Sequence, residues 1–78
     1  MARLLLLGPA REAAGTRHDE IDGSTVDEVL KSAATRYGTT FIDVLASSQV
    51  WLNGEEADSN DPVSPNDEVA ILPPISGG

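Results

Sequence analysis

The sequence predicts an α+β domain: a small mixed sheet of four to five strands with one main helix packed across it. Three observations carry that prediction. Two short, wholly apolar segments lie near opposite ends of the chain (residues 4–7 and 69–72), one amphipathic stretch of helical period lies between them, and an Asn-Gly pair follows a Val-Trp-Leu run. At 78 residues and 40% apolar content, there is material for one modest core and not for a second. That apolar content, against 23% charge, also separates the chain from disordered compositions.

The elements follow in order. Residues 3–7, Arg3 and four leucines, read as a strand. The run does not alternate, which predicts cover on both faces and a central place in the sheet, with Leu5 in the core. Gly8-Pro9 ends it, because proline cannot donate to a ladder. Residues 11–15 read as a loop with room for one helical turn. Residues 17–22 are polar and read as an outer strand returning beside the first. Thr25 then opens a helix, with Glu28 completing a capping box and Ser24/Asp27 as a competing frame. Val26, Val29, Leu30, Ala33, Ala34 and Tyr37 form one apolar stripe, while Glu28, Lys31, Ser32 and Thr35 face away. Early acids and a late Arg36 suit the helix dipole, and Gly38 supplies the stop. Residues 40–47 read as a second short helical segment that buries Phe41, Ile42, Val44 and Leu45.

Val50-Trp51-Leu52 is the next strand, Asn53-Gly54 a hairpin turn, and residues 55–57 a short edge strand whose carboxylates discourage edge-to-edge pairing. Asp61-Pro62 and Pro65-Asn66-Asp67 are turn chemistry. Residues 69–72 form the last strand, expected beside the first. A right-handed crossing between those two strands, with the helix inside it, describes a β-grasp sheet. The expected organisation is therefore a domain over residues 1–72 and an extended tail over residues 73–78.

Charge and composition narrow the function. Thirteen acids against five bases give a net charge of −8, which disfavours nucleic acid as a partner. Residues 1–36 carry six acids and five bases, whereas residues 37–78 carry seven acids and no base. An acidic surface of this kind keeps a small protein soluble and steers it toward basic partners. The absence of cysteine removes disulfides, thiolate metal sites and thiol nucleophiles. No apolar run approaches the ~20 residues of a membrane span, and the four leucines are too few for a secretion signal. The cytosol is the expected location.

A catalytic constellation within the domain is not evident. His18, the only histidine, adjoins Asp19 and Glu20 on a strand, where neighbours point to opposite faces; it reads as a surface histidine. Glu55-Glu56 beside a hairpin turn reads as solvated charge. Neither a metal site nor a phosphate loop is expected.

The end of the chain stands apart. After the last strand come Pro73, Pro74, Ile75, Ser76, Gly77 and Gly78. The prolines enforce a stiff, extended exit, and six residues at ~3.3 Å each reach about 20 Å. Gly77 and Gly78 lack side chains, so a carboxylate at Gly78 is sterically bare, able to enter a narrow tunnel. Ionised at neutral pH, it can attack an activated phosphate.

In these features the chain resembles the ubiquitin-like sulfur carriers of the MoaD/ThiS group, most closely the small, sulfur-carrying subunit of molybdopterin synthase. The resemblance rests on residues 7–16 (LGPAREAAGT), Ser24-Thr25-Val26, Val50-Trp51-Leu52-Asn53-Gly54 and residues 66–78 (NDEVAILPPISGG). Two departures are Leu7, where an aromatic residue is common, and Asn66, where glycine is common. The resemblance implies a ubiquitin-like β-grasp fold with a flexible Gly-Gly tail. It implies that an E1-like (MoeB-like) enzyme uses ATP and magnesium to adenylate Gly78, and that sulfur from a persulfide donor, a sulfurtransferase, then leaves a C-terminal thiocarboxylate. The tail would insert into a MoaE-like large subunit and give sulfur to a cyclic pyranopterin precursor, in molybdenum cofactor biosynthesis. Related carriers serve thiazole synthesis, cysteine synthesis or tRNA thiolation, and related modifiers are conjugated to lysines. Lys31 is the only lysine here, so chains of this protein linked through lysine would have one attachment point.

Overall fold

The two apolar segments pair directly. In a computed structural model that describes residues 1–74, β1 (Ala2–Leu6) runs parallel to the last strand, Glu68–Leu72, with Leu4 opposite Val69 and Leu6 opposite Ile71. Between them the chain forms α1 (Pro9–Ala14), β2 (His18–Ile21), α2 (Val26–Tyr37), α3 (Thr39–Ala46), β3 (Gln49–Leu52) and β4 (Glu55–Glu56), and the last strand is β5. The sheet order is β2-β1-β5-β3-β4, antiparallel except at the β1–β5 pair. This is a ubiquitin-like β-grasp.

One side of the sheet carries the core. Leu4, Leu6, Ile21, Val69 and Ile71 alternate onto that side and are buried against Val26, Val29, Ala33 and Phe41 from the helices. The opposite side has no layer over it among the described residues. Leu5, Ala70 and Leu72 are only half-buried there. The expectation that β1 and β5 are covered on both faces is thus corrected. A continuous apolar run shows that both faces of a strand are apolar; it does not show that the same molecule covers both. Leu5 accordingly lies outside the core, and Leu30 on α2 is likewise only half-buried.

Helix α2 is capped as the sequence predicts, with an addition from far away. Thr25 is the N-cap, its Oγ1 accepting from the Glu28 amide at 3.2 Å. The Glu28 carboxylate reaches one residue past the cap and accepts from the Ser24 amide at 2.9 Å. The next two free amides, Val26 and Asp27, donate to the carbonyls of Asp61 and Ser59 at 3.0 and 2.9 Å. Those four contacts complete the start of the helix.

Two local expectations change. The helical turn for which residues 11–15 had room is a helix that begins earlier, at residues 9–14: Pro9 stands at its first turn, where a missing N–H costs nothing, and buried Ala10 anchors it. In α3, Phe41 is fully buried, Val44 and Leu45 are half-buried, and Ile42 is 45% exposed. A helix against α1 and α2 buries one stripe, and Ile42 sits beside it. Asn53-Gly54 turns as expected, both residues at positive φ (51° and 84°).

At the other end of the sheet, α2 is fastened to β2. The Tyr37 hydroxyl donates to Asp19 Oδ2, and Arg36 Nη1 meets the same oxygen at 3.0 Å. The hydrogen bond from Tyr37, aided by the Glu20 amide and Arg36, holds the Asp19 carboxyl below the usual range against a partial burial that opposes it. Burial and the neighbouring carboxylate push Tyr37 up to about 12. His18 points the other way and is exposed, as strand alternation predicts.

Truncating Phe41 to Ala should cost about 3–5 kcal/mol, whereas Ile42→Ser should change stability by less than about 0.5 kcal/mol; chemical denaturation of both variants checks the contrast. A carboxyl with a lowered folded pKa stabilises above its unfolded pKa and loses that contribution as pH falls through the folded value. Stability should therefore decline on acidification below about pH 4, and Asp19→Asn should make that decline shallower in a pH series of melting curves.

Candidate functional site

The candidate site has two parts, the uncovered sheet face and the segment at Pro73-Pro74 where the chain leaves β5. Strand register places the face. Across the middle of the sheet His18, Leu5, Ala70, Trp51 and Glu56 stand in one row, each opposite the next. A second row holds Glu20, Arg3 and Glu68, and Leu72 lies opposite Gln49 in a third. The face is therefore an apolar band of Leu5, Ala70, Trp51 and Leu72, edged by Glu20, Glu56 and Glu68 with Arg3 among them. Trp51 is held on it by a 3.2 Å hydrogen bond from its indole N–H to Gln49 Oε1.

The hairpin behind the band is pinned to β5. Asn53 Oδ1 accepts from the Glu68 amide at 2.9 Å, and its Nδ2 donates to Asp67 Oδ1 at 3.1 Å. The Ser64 amide donates to the other Asp67 oxygen at 2.8 Å. That bond, with the Asn53 amide, lowers the Asp67 pKa.

At the tail root, β5 ends at Leu72 and the chain continues into Pro73 and Pro74, both exposed. The Pro73 ring lies over Gly8; a Cβ at Gly8 would stand 3.2 Å from it, and Gly8 itself holds a φ of +59°. The loop that leaves β1 therefore touches the segment that leaves β5. The Leu7 amide donates to the Ile71 carbonyl at 3.0 Å beside this contact. A depression of about 550 Å³ lined by Gly8, Pro9, Arg11 and Glu12 opens next to it. Of the residues expected to act, Pro73 and Pro74 are thus placed at the edge of the apolar band. Ile75, Ser76, Gly77 and Gly78 lie outside the described residues.

Sequence reasoning missed the band. Its signal was present in the leucine run and in residues 69–72, where every second residue belongs to the uncovered side. Among the described residues no three His, Cys, Asp or Glu side chains converge to hold a metal ion, and no helix is long and apolar enough to cross a membrane.

The fold and this geometry define a ubiquitin-like β-grasp domain that presents an apolar sheet face beside the point where the chain leaves its last strand. The ThiS family model matches residues 4–78, and the chain belongs to the ThiS family. No curated protein matches it by sequence. Among solved structures it is similar to the small archaeal modifier protein 1 of Methanosarcina acetivorans (26% identity, TM-score 0.85, covering 99% of this chain and 95% of that one). It is also similar to a chain of the Amycolatopsis orientalis BexX/CysO complex (20%, 0.81, all of both chains). A chain from the complex of subunits 1 and 2 of the Helicobacter pylori molybdopterin-converting factor is a third likeness (22%, 0.72, 99% and 97%).

Proposed function

We propose that the protein is a sulfur carrier whose working group is the Gly78 carboxylate, and that it acts as the small subunit of a molybdopterin synthase. In this reading a MoeB-like activating enzyme supplies ATP and magnesium. A carboxylate oxygen attacks the α-phosphate, pyrophosphate leaves, and an acyl-adenylate results. The terminal sulfur of a persulfide donor displaces AMP to give an acyl disulfide. A thiolate of the donor or activating enzyme then attacks the donor's sulfur, forms a disulfide with it and releases the thiocarboxylate, which a MoaE-like large subunit uses on a cyclic pyranopterin precursor.

One observation carries the reading: the family match runs through the final Gly77-Gly78 pair, which lies in the six-residue segment that follows the strand at the centre of the apolar band. A partner seated on Leu5, Ala70, Trp51 and Leu72 would stand at the tail root. The domain would act as the grip and the terminus as the reagent. The acidic edge of the band favours a partner with basic residues around an apolar centre. The structures of the subunit 1 and 2 complex and of BexX/CysO are complexes of related folds, in keeping with a carrier that works on a partner.

A second reading has one observation in its favour, the 26% identity to a small archaeal modifier protein. There the activated Gly78 would pass to a lysine amine.

Intact mass spectrometry of protein from its native host should find a fraction in which one oxygen is replaced by sulfur. Isopeptide adducts without that species would establish the modifier instead. One residue added after Gly78 should abolish sulfur loading and leave the melting curve unchanged; full loading would refute the carrier. Ala70→Glu should weaken binding of the activating enzyme by about tenfold or more, a loss of about 1.4 kcal/mol, while the free protein keeps its far-UV spectrum. Titration followed by Trp51 emission measures it.

A further inference from the structure

We infer that Asp19, Arg36 and Thr16 form a lock on the outer edge of β2, which keeps that strand from pairing with β2 of a second copy of this chain. The register identifies the groups at stake. Leu6 donates to the Arg17 carbonyl at 2.8 Å, and residue pairs follow in antiparallel order from there. Residues 17, 19 and 21 therefore bond inward to β1, and the amides and carbonyls of His18 and Glu20 face outward. Such a row is a template for strand addition.

Three of those four groups are already taken. The Glu20 amide donates to Asp19 Oδ1 at 2.8 Å. The Glu20 carbonyl accepts from Arg36 Nη1 at 2.8 Å. The His18 carbonyl accepts from Thr16 Oγ1 at 2.9 Å. Arg36 reaches this edge from the last turn of α2 while it also binds Asp19 Oδ2, which Tyr37 holds in place. The strand is thus sealed by side chains from its own residue 19 and from a helix sixteen and more residues away.

A second copy is the occupant that this edge suits. With a two-fold axis at Asp19, His18 of one copy stands opposite Glu20 of the other, and their outward amides and carbonyls face each other as bonded pairs. The opposed His and Glu side chains attract whenever the imidazole is protonated. The same axis sets Asp19 against Asp19, a like-charge pair that disfavours the contact. Asp19 therefore acts twice, by occupying the Glu20 amide and by repelling its counterpart. The opposite edge, β4, is guarded more simply: it is two residues long and both are exposed glutamates.

The experiment uses the full chain. Wild type should sediment as a monomer, and the double variant Asp19→Ala/Arg36→Ala should form dimers whose fraction rises with concentration. Adding Glu20→Pro, which deletes an outward amide and no bond to β1, should return the double variant to monomer. Hydrogen exchange at the Glu20 amide should be faster in the dilute double variant than in wild type. A folded double variant that stays monomeric at every concentration overturns the inference, as does a dimer that survives Glu20→Pro or a wild type already dimeric and dispersed by Glu20→Pro. If the double variant does not fold, Arg36→Ala alone, which alters an exposed guanidinium and frees the Glu20 carbonyl, is read the same way: weaker, concentration-dependent dimers support the lock and a strict monomer refutes it.

Discussion

Parallel pairing of β1 with β5 obliges all of the chain between them to cross from one end of the sheet to the other, and the rest of the architecture answers to that crossing. A right-handed crossover places the intervening helices on one side, so α1, α2 and α3 form a single layer. Leu4 and Leu6 meet Val69 and Ile71 beneath that layer. The same parallel pairing brings the C-terminal ends of β1 and β5 side by side, which is why the Gly8 loop touches Pro73.

One-sided cover has a functional consequence. The residues that alternate away from the core on the two apolar strands, Leu5, Ala70 and Leu72, remain half-exposed and are joined by Trp51 from β3. Among the described residues no second layer covers them. An apolar band bordered by carboxylates, beside the point where the chain leaves β5 at Pro73, fits the proposed role, in which a partner holds the globule while it handles the terminus. The core and the band are opposite faces of the same strands, so parity along β1 or β5 decides whether a substitution falls in the core or on the exposed face.

The edges of the sheet are treated in two different ways. On β4 the protection is brevity and charge, both plain in the sequence. On β2 it is a set of hydrogen bonds from a carboxylate, a guanidinium and a hydroxyl to three backbone groups. The same cluster joins α2 to the sheet, so helix docking and edge protection are one structure. That economy follows from Tyr37 and Arg36 being consecutive at the end of the helix: one supports Asp19 from the half-buried side, and the other reaches over the edge.

Period and punctuation determined much of this protein without tertiary help. The stripe from Val26 to Tyr37, the Thr25 cap, the Asn53-Gly54 turn and the pairing of the two apolar segments were legible because each depends on residues near in sequence or on a pattern that has one economical solution. The closing run through Gly78 likewise carried the family likeness. What only the folded arrangement decided was which apolar residues are core and which are surface. Leu4 and Leu5 are the same residue type in adjacent positions, and nothing local separates them until the helices settle on one face. The completion of the α2 N-terminus by Asp61 and Ser59, and the meeting of Asp19 with Arg36, were hidden for the same reason: a hydrogen bond between distant segments leaves no periodic trace in the chain that makes it.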